Sequence, residues 1–484
     1  MRDSKRAGRL PWWARQYRRT GSEESMPRRR PACGVRSVPA TLPAQPSPLY
    51  QEVLAWVTAR LQQRGYARPL CKRLALLGTG LIASKQATLS AVAETVHGLA
   101  ITPAKEESIA RRLGRILTDE RLDPHQVLTD LFADLVPTLL AGVLAAHAAN
   151  EPSGAAHHAR FLPLTVVLDE STKEDEVHLL VAGLAYQGIL LPLAVRVWEQ
   201  GAPLAAGDYW LAVHGVCLAV QALLPPALRD HVLLLADRAY GIPRMLDLAR
   251  ALDWAWVLRV QGQTRVLRAD GTVCPIRDLA PRPGTGWVSG FDPTAPAAPD
   301  PDSTEPVAVF KAAGWRGSQV VALWLDTQEA PWLLVTSLPG TAARLQDYAR
   351  RWAIERLFVS WKSHGWDVEA GGVAQPARLG RLLSALSLAT YWQLAMGLPV
   401  AHAQLDDLAA RAAQRPLPTG QLPLPFPPAP SRPWAAKFSL YRWGAKVAQT
   451  TNLRQHTPTC WWAFPDWTAP PWSAQCQQTY HAAT

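Results

Sequence analysis

The spacing of apolar residues changes near residue 160, and this change constrains the fold more than any other feature of the sequence. From about 48 to 150, apolar residues recur at intervals of three and four, which indicates amphipathic helices. From 161 onward they form short uninterrupted runs separated by turn residues, which indicates buried strands. The pattern predicts a helical N-terminal domain at 47–150, followed by a domain of the α/β class.

The α/β part opens with three apolar runs at 161–169, 177–186 and 189–198. A short Gln187–Gly188 link joins the second run to the third, so we expect three consecutive antiparallel strands. Helices and strands then alternate: a helix at 208–224, a strand at 230–237, a helix at 240–252 and a strand at 254–260. The order βββαβαβ predicts a mixed sheet with helices packed on it, and we assign it to residues 160–261.

The period changes twice more towards the C-terminus. Residues 262–335 contain short strand-like runs between turns rich in Gly, Pro and Asp, which predicts a β-rich insertion. The helical period returns in 336–399, where a strongly apolar helix is predicted at 377–398. Residues 400–484 are rich in Pro and Trp, with one amphipathic helix predicted at 434–449.

The tail contains tryptophans among prolines, namely Trp461, Trp462, Trp467 and Trp472. They are too sparse for a large core of their own. Three explanations stay open at this point: the tail packs on the catalytic domain, binds a partner protomer, or results from a shifted reading frame.

Most of the net charge of +11 lies at the N-terminus, where residues 1–36 contain eleven Lys and Arg against three Asp and Glu. We predict that residues 1–46 form a basic disordered arm. The Arg triplet at 28–30 suggests a nucleic-acid contact. The alternatives are a solvated tail or an upstream extension ahead of a start at Met26.

Cysteine usage and hydropathy exclude several classes of protein. The six cysteines are widely spaced and form no CxxC pair, which disfavours a zinc site or a disulfide framework and favours a reducing cytoplasm. No apolar run reaches the roughly 18 residues that a membrane helix needs, and no signal-peptide pattern follows the basic N-terminus. We therefore expect a cytoplasmic protein without a membrane partner.

A predicted helix in the N-terminal part carries three arginines, Arg111, Arg112 and Arg115, after the breaks at Gly98 and Pro103. Together with the preceding helix it is similar to a helix-turn-helix pair with a basic second helix. This predicts contact with DNA. The alternative is an ordinary helical hairpin with a solvated basic face.

Two acids, Asp169 and Asp237, each end an apolar run. If the two strands are neighbours, both carboxylates project at one edge of the sheet, where they repel each other unless a cation lies between them. The alternative for each aspartate is a turn or a helix cap. The acids that follow Asp169 are expected to be solvated: Glu170, Glu174, Asp175 and Glu176.

A third acid lies in YARRWAIERLFVSWK, residues 348–362. In a helix of about 100° per residue, four polar side chains share a stripe about 60° wide: Tyr348, Arg351, Glu355 and Lys362. A neighbouring stripe is apolar and predicts the core face: Ile354, Leu357, Phe358 and Trp361. Glu355 therefore lies at the margin of the core, where it can join a metal site; the alternative is a solvated face with salt bridges. Three such acids suit Mg²⁺, and two ions about 4 Å apart can promote cleavage of a phosphodiester.

The four polar residues also fit the spacing Y-(2)-R-(3)-E-(6)-K without a gap, and Trp352 follows the arginine. This resembles the signature of the insertion-sequence DDE transposases of family four, the cut-and-paste group with hairpin intermediates. LLLADRAYG (233–241) is similar to the second-acid motif of that family, LDEST (168–172) to its first-acid motif, and KEESIARRLGRIL (105–117) to its N-terminal helical region.

The resemblance spans about 50–400 and implies an RNase H-like catalytic core that is interrupted by a β-rich insertion. It implies that Asp169, Asp237 and Glu355 hold two Mg²⁺ ions, for which Mn²⁺ can substitute. It also implies DNA contacts by the remaining motif residues: Tyr348, Arg351 and Lys362 on phosphates, Arg238 beside the second acid, and Trp352 on a displaced base. Other tryptophans could take that last role: Trp287, Trp315, Trp324 and Trp332.

The function that the resemblance implies is a bacterial-type transposase, associated with the nucleoid when it is bound to DNA. Its partners would be double-stranded DNA, as terminal inverted repeats and as target, and a second protomer, because two element ends are cut together. Two alternatives are kept: a non-catalytic DNA-binding regulator of transposition, and a general RNase H-like nuclease. The three acids argue against the regulator. The phosphate-contacting set argues against plain nuclease activity.

Overall fold

The computed structural model describes residues 47–149, 164–174, 176–202, 204–289, 307–413, 440–454, 457–464 and 467. The predicted basic arm at 1–46 lies outside the described residues, as do the start of the helix predicted at 434–449 and most of the tail around it.

The N-terminal part is helical, as its apolar spacing predicts. Its helices are α1 (Pro48–Gln62), α2 (Arg68–Ser84), α3 (Leu89–Gly98), α4 (Glu106–Thr118), α5 (Pro124–Phe132), α6 (Leu135–Leu139) and α7 (Ala141–Ala149). In α1 the buried positions recur every fourth residue from Leu49 to Leu61. Asp123 caps α5, because its carboxylate accepts hydrogen bonds from the backbone N–H groups of His125 and Gln126. The apolar faces of these helices share one continuous core with the sheet.

The described residues also form an eight-stranded mixed sheet in the order β3-β2-β1-β4-β5-β12-β11-β8. The strands of its first half are β1 (Leu164–Lys173), β2 (Val177–Tyr186), β3 (Ile189–Glu199), β4 (Val232–Ala236) and β5 (Ala255–Arg259). β1, β2 and β3 are antiparallel neighbours, whereas β4 is parallel to both β1 and β5. Helix α8 (Ala206–Leu223) connects β3 to β4, and helix α9 (Pro243–Ala251) connects β4 to β5. This half follows the predicted order βββαβαβ.

The second half of the sheet corrects the expected β-rich insertion. The strands between 262 and 336 are β6 (Arg265–Leu267), β7 (Val273–Pro275), β8 (Thr285–Val288), β9 (Ala308–Val309), β10 (Arg316–Gly317), β11 (Gln319–Trp324) and β12 (Trp332–Thr336). Only β6, β7, β9 and β10 form a separate small sheet. β8, β11 and β12 extend the main sheet, since β12 pairs with the free edge of β5, from Leu334 opposite Arg259 to Thr336 opposite Val257.

The signature segment is not the single helix that its spacing predicts. It consists of α10 (Ala343–Ala349), α11 (Trp352–Val359) and a π-helical turn at Ser360–His364. Between α10 and α11 the backbone tightens: the N–H of Arg351 bonds to the carbonyl of Tyr348 at 2.9 Å, three residues back. The predicted core face is nevertheless confirmed, because Ile354, Leu357, Phe358 and Trp361 are all buried.

Two further helices complete the described part. Helix α12 (Pro376–Ala413) contains the predicted apolar helix, and helix α13 (Leu440–Arg454) packs against it. The two backbones approach so closely that a Cβ at Gly444 would overlap the carbonyl of Gln393. No helix among the described residues is both long and apolar enough to span a membrane.

The described tail residues pack back on the protein. The Trp462 ring stacks on Trp56 at 5.6 Å and meets Trp392 edge-on at 5.0 Å. The indole N–H of Trp467 donates to the carbonyl of Leu139 at 3.2 Å. Of the three explanations for the tryptophans, these contacts agree with packing on the rest of the chain. Trp472 lies outside the described residues.

Candidate active site

Asp169 and Asp237 occupy equivalent positions on neighbouring parallel strands. The last residues paired between β1 and β4 are Leu168 and Ala236, and each aspartate follows directly after its member of this pair. β1 itself continues to Lys173 in its pairing with β2, so Asp169 ends only one of its two ladders, which differs from the predicted strand end. Both carboxylates are therefore attached where the two parallel strands separate.

Glu355 reaches the same place from α11, which packs against β1. Arg351 connects it to the first aspartate: one guanidinium nitrogen donates to Asp169 Oδ2 at 2.9 Å, and the other donates to Glu355 Oε1. The Arg351 side chain is only 3% exposed, compared with 16% for Asp169 and 28% for Glu355. We call Asp169, Asp237, Glu355 and Arg351 the acidic site.

The electrostatics of the acidic site show that one arginine does not fully compensate the acids. Burial raises the pKa of Asp169 to about 7; Arg351 opposes this rise, whereas Asp237 and Glu355 add to it. Burial alone would lower the pKa of Arg351, but Tyr348, Asp169 and Glu355 hold it above its usual range. The arginine is therefore charged, and the anionic form of Asp169 favours further positive charge nearby.

The other motif residues predicted to contact DNA differ in their burial and in their hydrogen-bond partners. Tyr348 is buried, its ring lies 5.4 Å from that of Trp332, and its hydroxyl has no hydrogen-bond partner among the described residues. Lys362 donates to Ser171 Oγ at 3.2 Å and lies 3.4 Å from Glu369.

Trp352 and Arg238 differ from these two because their side chains face solvent. Trp352 is 36% exposed, with the guanidinium of Arg351 5.8 Å from its ring centroid. The other tryptophans considered for a displaced base are partly buried: Trp287, Trp315, Trp324 and Trp332. Among these residues, Trp352 is the most open to a ligand near the acids.

Glu170 was expected to be solvated, and the structure contradicts this. One of its carboxylate oxygens bonds to His178 Nδ1, and the other accepts a hydrogen bond from the Tyr209 hydroxyl at 2.9 Å. The Tyr209 hydroxyl also lies 3.1 Å from that of Tyr240. Since successive residues of a strand point to opposite faces, this network lies on the face of β1 opposite Asp169. Alternation along β1 was the only signal in the sequence that could have revealed it.

A second charged region surrounds the basic helix α4. It consists of Arg68 and Lys72 of α2, the predicted residues Arg111, Arg112 and Arg115 of α4, and Arg378 near the start of α12. These side chains line two open concavities of about 570 and 580 Å³, and both concavities include Arg115. We call these six residues the basic surface.

All six side chains of the basic surface are exposed. Apart from the contact of Arg111 with Glu107 at 3.6 Å, none forms an ion pair with a described residue. Sequence reasoning found the three arginines of α4 but missed Arg68, Lys72 and Arg378, because only the fold brings these helices together.

The three carboxylates of the acidic site are chemically suitable ligands for a divalent metal ion. Carboxylate oxygens are the ligands that Mg²⁺ prefers. With the side chains in their present positions, no group of three His, Cys, Asp or Glu among the described residues is close enough to hold a metal ion. Arg351 instead bonds to two of the three acids. In this arrangement a guanidinium, rather than a metal ion, joins the two carboxylates.

Comparison with known proteins adds an independent observation. Residues 214–391 match the family model described as a transposase DDE domain. The match includes Asp237 and the segment from Tyr348 to Lys362, but it begins after Asp169 and the arginines of α4. No curated protein matches the chain. The match supports a DDE transposase, and the mixed α/β sheet agrees with the fold of such a domain. DDE transposases generally use divalent metal ions.

Proposed function

We propose that this protein is a cut-and-paste DDE transposase of the type of insertion-sequence family four. It would bind the terminal inverted repeats of an element, cleave the DNA there through a hairpin, and join the element to target DNA. The observation that carries the proposal is the acidic site: Asp169 and Asp237 occupy equivalent positions on neighbouring parallel strands, and Arg351 joins Asp169 to Glu355. The transposase DDE match over residues 214–391 includes two of these acids.

Asp169, Asp237 and Glu355 are the residues that would hold two Mg²⁺ ions, with Mn²⁺ as a substitute. When bound, such ions activate a water or a 3′-hydroxyl and stabilise the leaving oxygen of a phosphodiester. The raised pKa of Asp169 is consistent with this role, because an approaching cation would favour its ionised form.

Arg351 would then act in two stages. In the free protein it compensates two acids, and on loading of the site its guanidinium would become available to a DNA phosphate, which it can bind through two parallel hydrogen bonds. Lys362 and Tyr348 would assist on neighbouring phosphates. Trp352 would contact a base displaced as the duplex end bends, because its ring is exposed beside Arg351.

The basic surface would bind the DNA of the element end. Its exposed cations, apart from Arg111, form no ion pair with a described residue, so phosphates would not have to displace a competing acid. A homodimer in the DNA complex would bring two ends together, with one acidic site for each end. We place this activity in the bacterial cytoplasm, at the nucleoid.

One observation favours a second candidate, the non-catalytic regulator. Arg351 already forms ion pairs with Asp169 and Glu355, so the acids could serve only to stabilise the fold. A regulator of this kind would bind element ends through the basic surface and leave them uncut. A general RNase H-like nuclease is the third candidate, and it would cut without forming a hairpin.

The test uses the full-length protein and labelled DNA from the two flanks of its coding region, with Mg²⁺ or with a chelator. Nicks at a defined position that require Mg²⁺, followed by a hairpin product, are the expected result. Binding without nicks would favour the regulator, and cleavage to linear products alone would favour the nuclease. The control DNA has the same length and a scrambled sequence.

A further inference from the structure

The acidic site lies where direct hydrogen bonding between its two parallel strands stops. The β1–β4 ladder ends at Leu168 and Ala236, one residue before each aspartate. Beyond that pair, no backbone pairing between β1 and β4 fixes the distance between Asp169 and Asp237. If the two aspartates hold two ions about 4 Å apart, as proposed above, another contact has to set this separation.

A side-chain bridge crosses this opening on the opposite face of the sheet. Tyr209, in the first turns of α8, donates its hydroxyl hydrogen to Glu170 Oε2 at 2.9 Å. Its oxygen lies 3.1 Å from the hydroxyl of Tyr240 and is free to accept the hydrogen of that group. Burial raises the pKa of both Tyr209 and Tyr240, so both phenols keep their protons at neutral pH. The bridge therefore runs from Tyr240 through Tyr209 to the carboxylate of Glu170.

Both ends of the bridge are one hydrogen bond away from an aspartate of the acidic site. The backbone N–H of Glu170 donates to Asp169 Oδ1 at 2.9 Å. The backbone N–H of Tyr240 donates to the carbonyl of Asp237 at 2.9 Å. These two bonds connect the bridge to both aspartates through residues outside the acidic site.

The surroundings of the bridge hold it in one arrangement. His178 bonds to the second oxygen of Glu170, and its ring stacks on Trp198 at 5.1 Å with the planes 8° apart. Trp198 in turn meets the Tyr209 ring edge-on at 6.0 Å. Both oxygens of the Glu170 carboxylate are therefore occupied, and the aromatic contacts limit the movement of the groups that bind them.

We propose that Tyr209 is a positioning residue, which sets the separation of Asp169 and Asp237 by bridging Glu170 to Tyr240. The inference rests on the proposed metal-dependent function, because the aspartates need a fixed separation only if they share ions. Partners that orient metal ligands in this way typically contribute about 10- to 100-fold to metal affinity.

The test compares variants of the full-length protein by Mn²⁺ binding, measured by isothermal titration calorimetry without DNA. Tyr209→Phe should weaken Mn²⁺ binding about tenfold and raise the Mn²⁺ concentration for half-maximal nicking by the same factor. DNA affinity in chelator should not change. Tyr240→Phe should have a smaller effect, because the bond from Tyr209 to Glu170 remains. Glu170→Gln, which keeps one acceptor oxygen, should bind Mn²⁺ more tightly than Glu170→Ala.

Tyr66→Phe is the matched control, since the Tyr66 hydroxyl donates to Asp130 at 2.8 Å in the helical N-terminal part. If Tyr209→Phe and Tyr66→Phe both melt at a lower temperature than the wild type, and Tyr209→Phe binds Mn²⁺ with wild-type affinity, Tyr209 is merely structural and the inference is wrong. If the wild-type protein neither binds Mn²⁺ nor nicks DNA, the proposed function is wrong, and the inference that rests on it is wrong as well. If the wild type binds Mn²⁺ and Tyr209→Phe binds it equally tightly, only the inference is wrong.

Discussion

The acidic site and the basic surface hold their charges in opposite ways. In the acidic site, a buried arginine is shared between two carboxylates, and the neighbouring charges shift the pKa of both Asp169 and Arg351. In the basic surface, exposed cations stand side by side, mostly without ion pairs to described residues. Coupled buried charges act as a unit, whereas solvated charges act nearly independently. The first region should therefore respond sharply to single substitutions, and the second only gradually.

The largest effect is expected from removal of a single acid. Asp169→Asn, Asp237→Asn or Glu355→Gln should each slow DNA nicking by about 1000-fold or more, because bound ions contribute several kcal/mol to the transition state. Affinity for end DNA in chelator should remain within about twofold of the wild-type value, since the basic surface is intact. The measurement is single-turnover nicking of labelled DNA with Mg²⁺, beside a gel shift without it.

Glu176→Gln is the matched control, because Glu176 is an exposed acid that follows the same strand. It should nick like the wild type. Loss of DNA binding together with nicking in all three acid variants would mean that the acids stabilise the fold, and the contrast between the two regions would disappear.

The next largest effect concerns Arg351. Under the hairpin mechanism, Arg351→Ala should slow hairpin formation on a pre-nicked end by about 100-fold, as expected for loss of a charged donor, and should slow first-strand nicking much less. Arg351→Lys should restore little, because an ammonium cannot bind two oxygens in parallel. A denaturing gel separates the products, since a hairpin runs at about twice the strand length.

Arg356→Ala provides the control on the same helix, because Arg356 bonds to the carbonyl of Gly188 rather than to the acids. In chelator, Arg351→Ala should also melt at a lower temperature than the wild type, because it leaves two half-buried acids without their cation. Equal slowing of both DNA steps, with only linear products from the wild type, would contradict the hairpin and favour a nuclease.

The same contrast explains how much could be predicted from the sequence. Asp169, Asp237 and Glu355 could be predicted as one set because an apolar run or stripe leads directly to each of them, and local period is visible in a sequence. The separation of α10 from α11 at Arg351 was not found, because ideal helical geometry gives no signal for a tightened turn. The bonds of Arg351 to Asp169 and Glu355 depend on that turn, so its compensating role was missed as well.

Other features could not be predicted because they depend on contacts between distant segments. β12 joins β5 across about 70 residues, and short apolar runs do not specify which free edge they will pair with. Arg68 and Arg378 reach the basic surface from helices that are about 300 residues apart in the chain. Glu170 directly follows Asp169, yet its partner Tyr209 comes from a helix on the other face of the sheet.

A smaller effect should appear in the pH dependence of stability. Burial raises the pKa of Asp169 in the folded protein to about 7, above its ordinary value of 3.8. The favourable contribution of the protonated form is complete below pH 3.8 and is lost as pH rises towards 7, because the unfolded chain binds fewer protons over this range. The Asp169→Asn variant has no carboxyl group at this position, so its stability does not fall with pH for this reason. The difference in unfolding free energy between variant and wild type should therefore shift in favour of the variant from pH 5 to pH 8.

Urea unfolding in chelator at both pH values measures this difference. Asp278→Asn is a suitable control, because Asp278 is exposed and carries the same chemical change. A constant difference between Asp169→Asn and wild type across this range would show that Asp169 is ionised throughout. The acidic site would then be fully compensated by Arg351, contrary to the comparison drawn above.

The smallest single effects are expected in the basic surface, where they should add. Replacement of Arg68, Lys72, Arg112, Arg115 or Arg378 by Ala should weaken binding to end DNA only a few-fold. Each change should lower the slope of log affinity against log salt by about one.

Arg121→Ala is the control, because Arg121 is equally exposed but already bonds to Asp119 at 2.8 Å, so its charge is neutralised. A double change of Arg112 and Arg115 should equal the sum of the single changes, since solvated charges couple weakly. Gel shifts between 50 and 200 mM salt measure both quantities, with these two concentrations chosen to span a large change in phosphate binding. If the arginines of α4 leave slope and affinity unchanged, they form a solvated face, and the DNA must bind elsewhere on the chain.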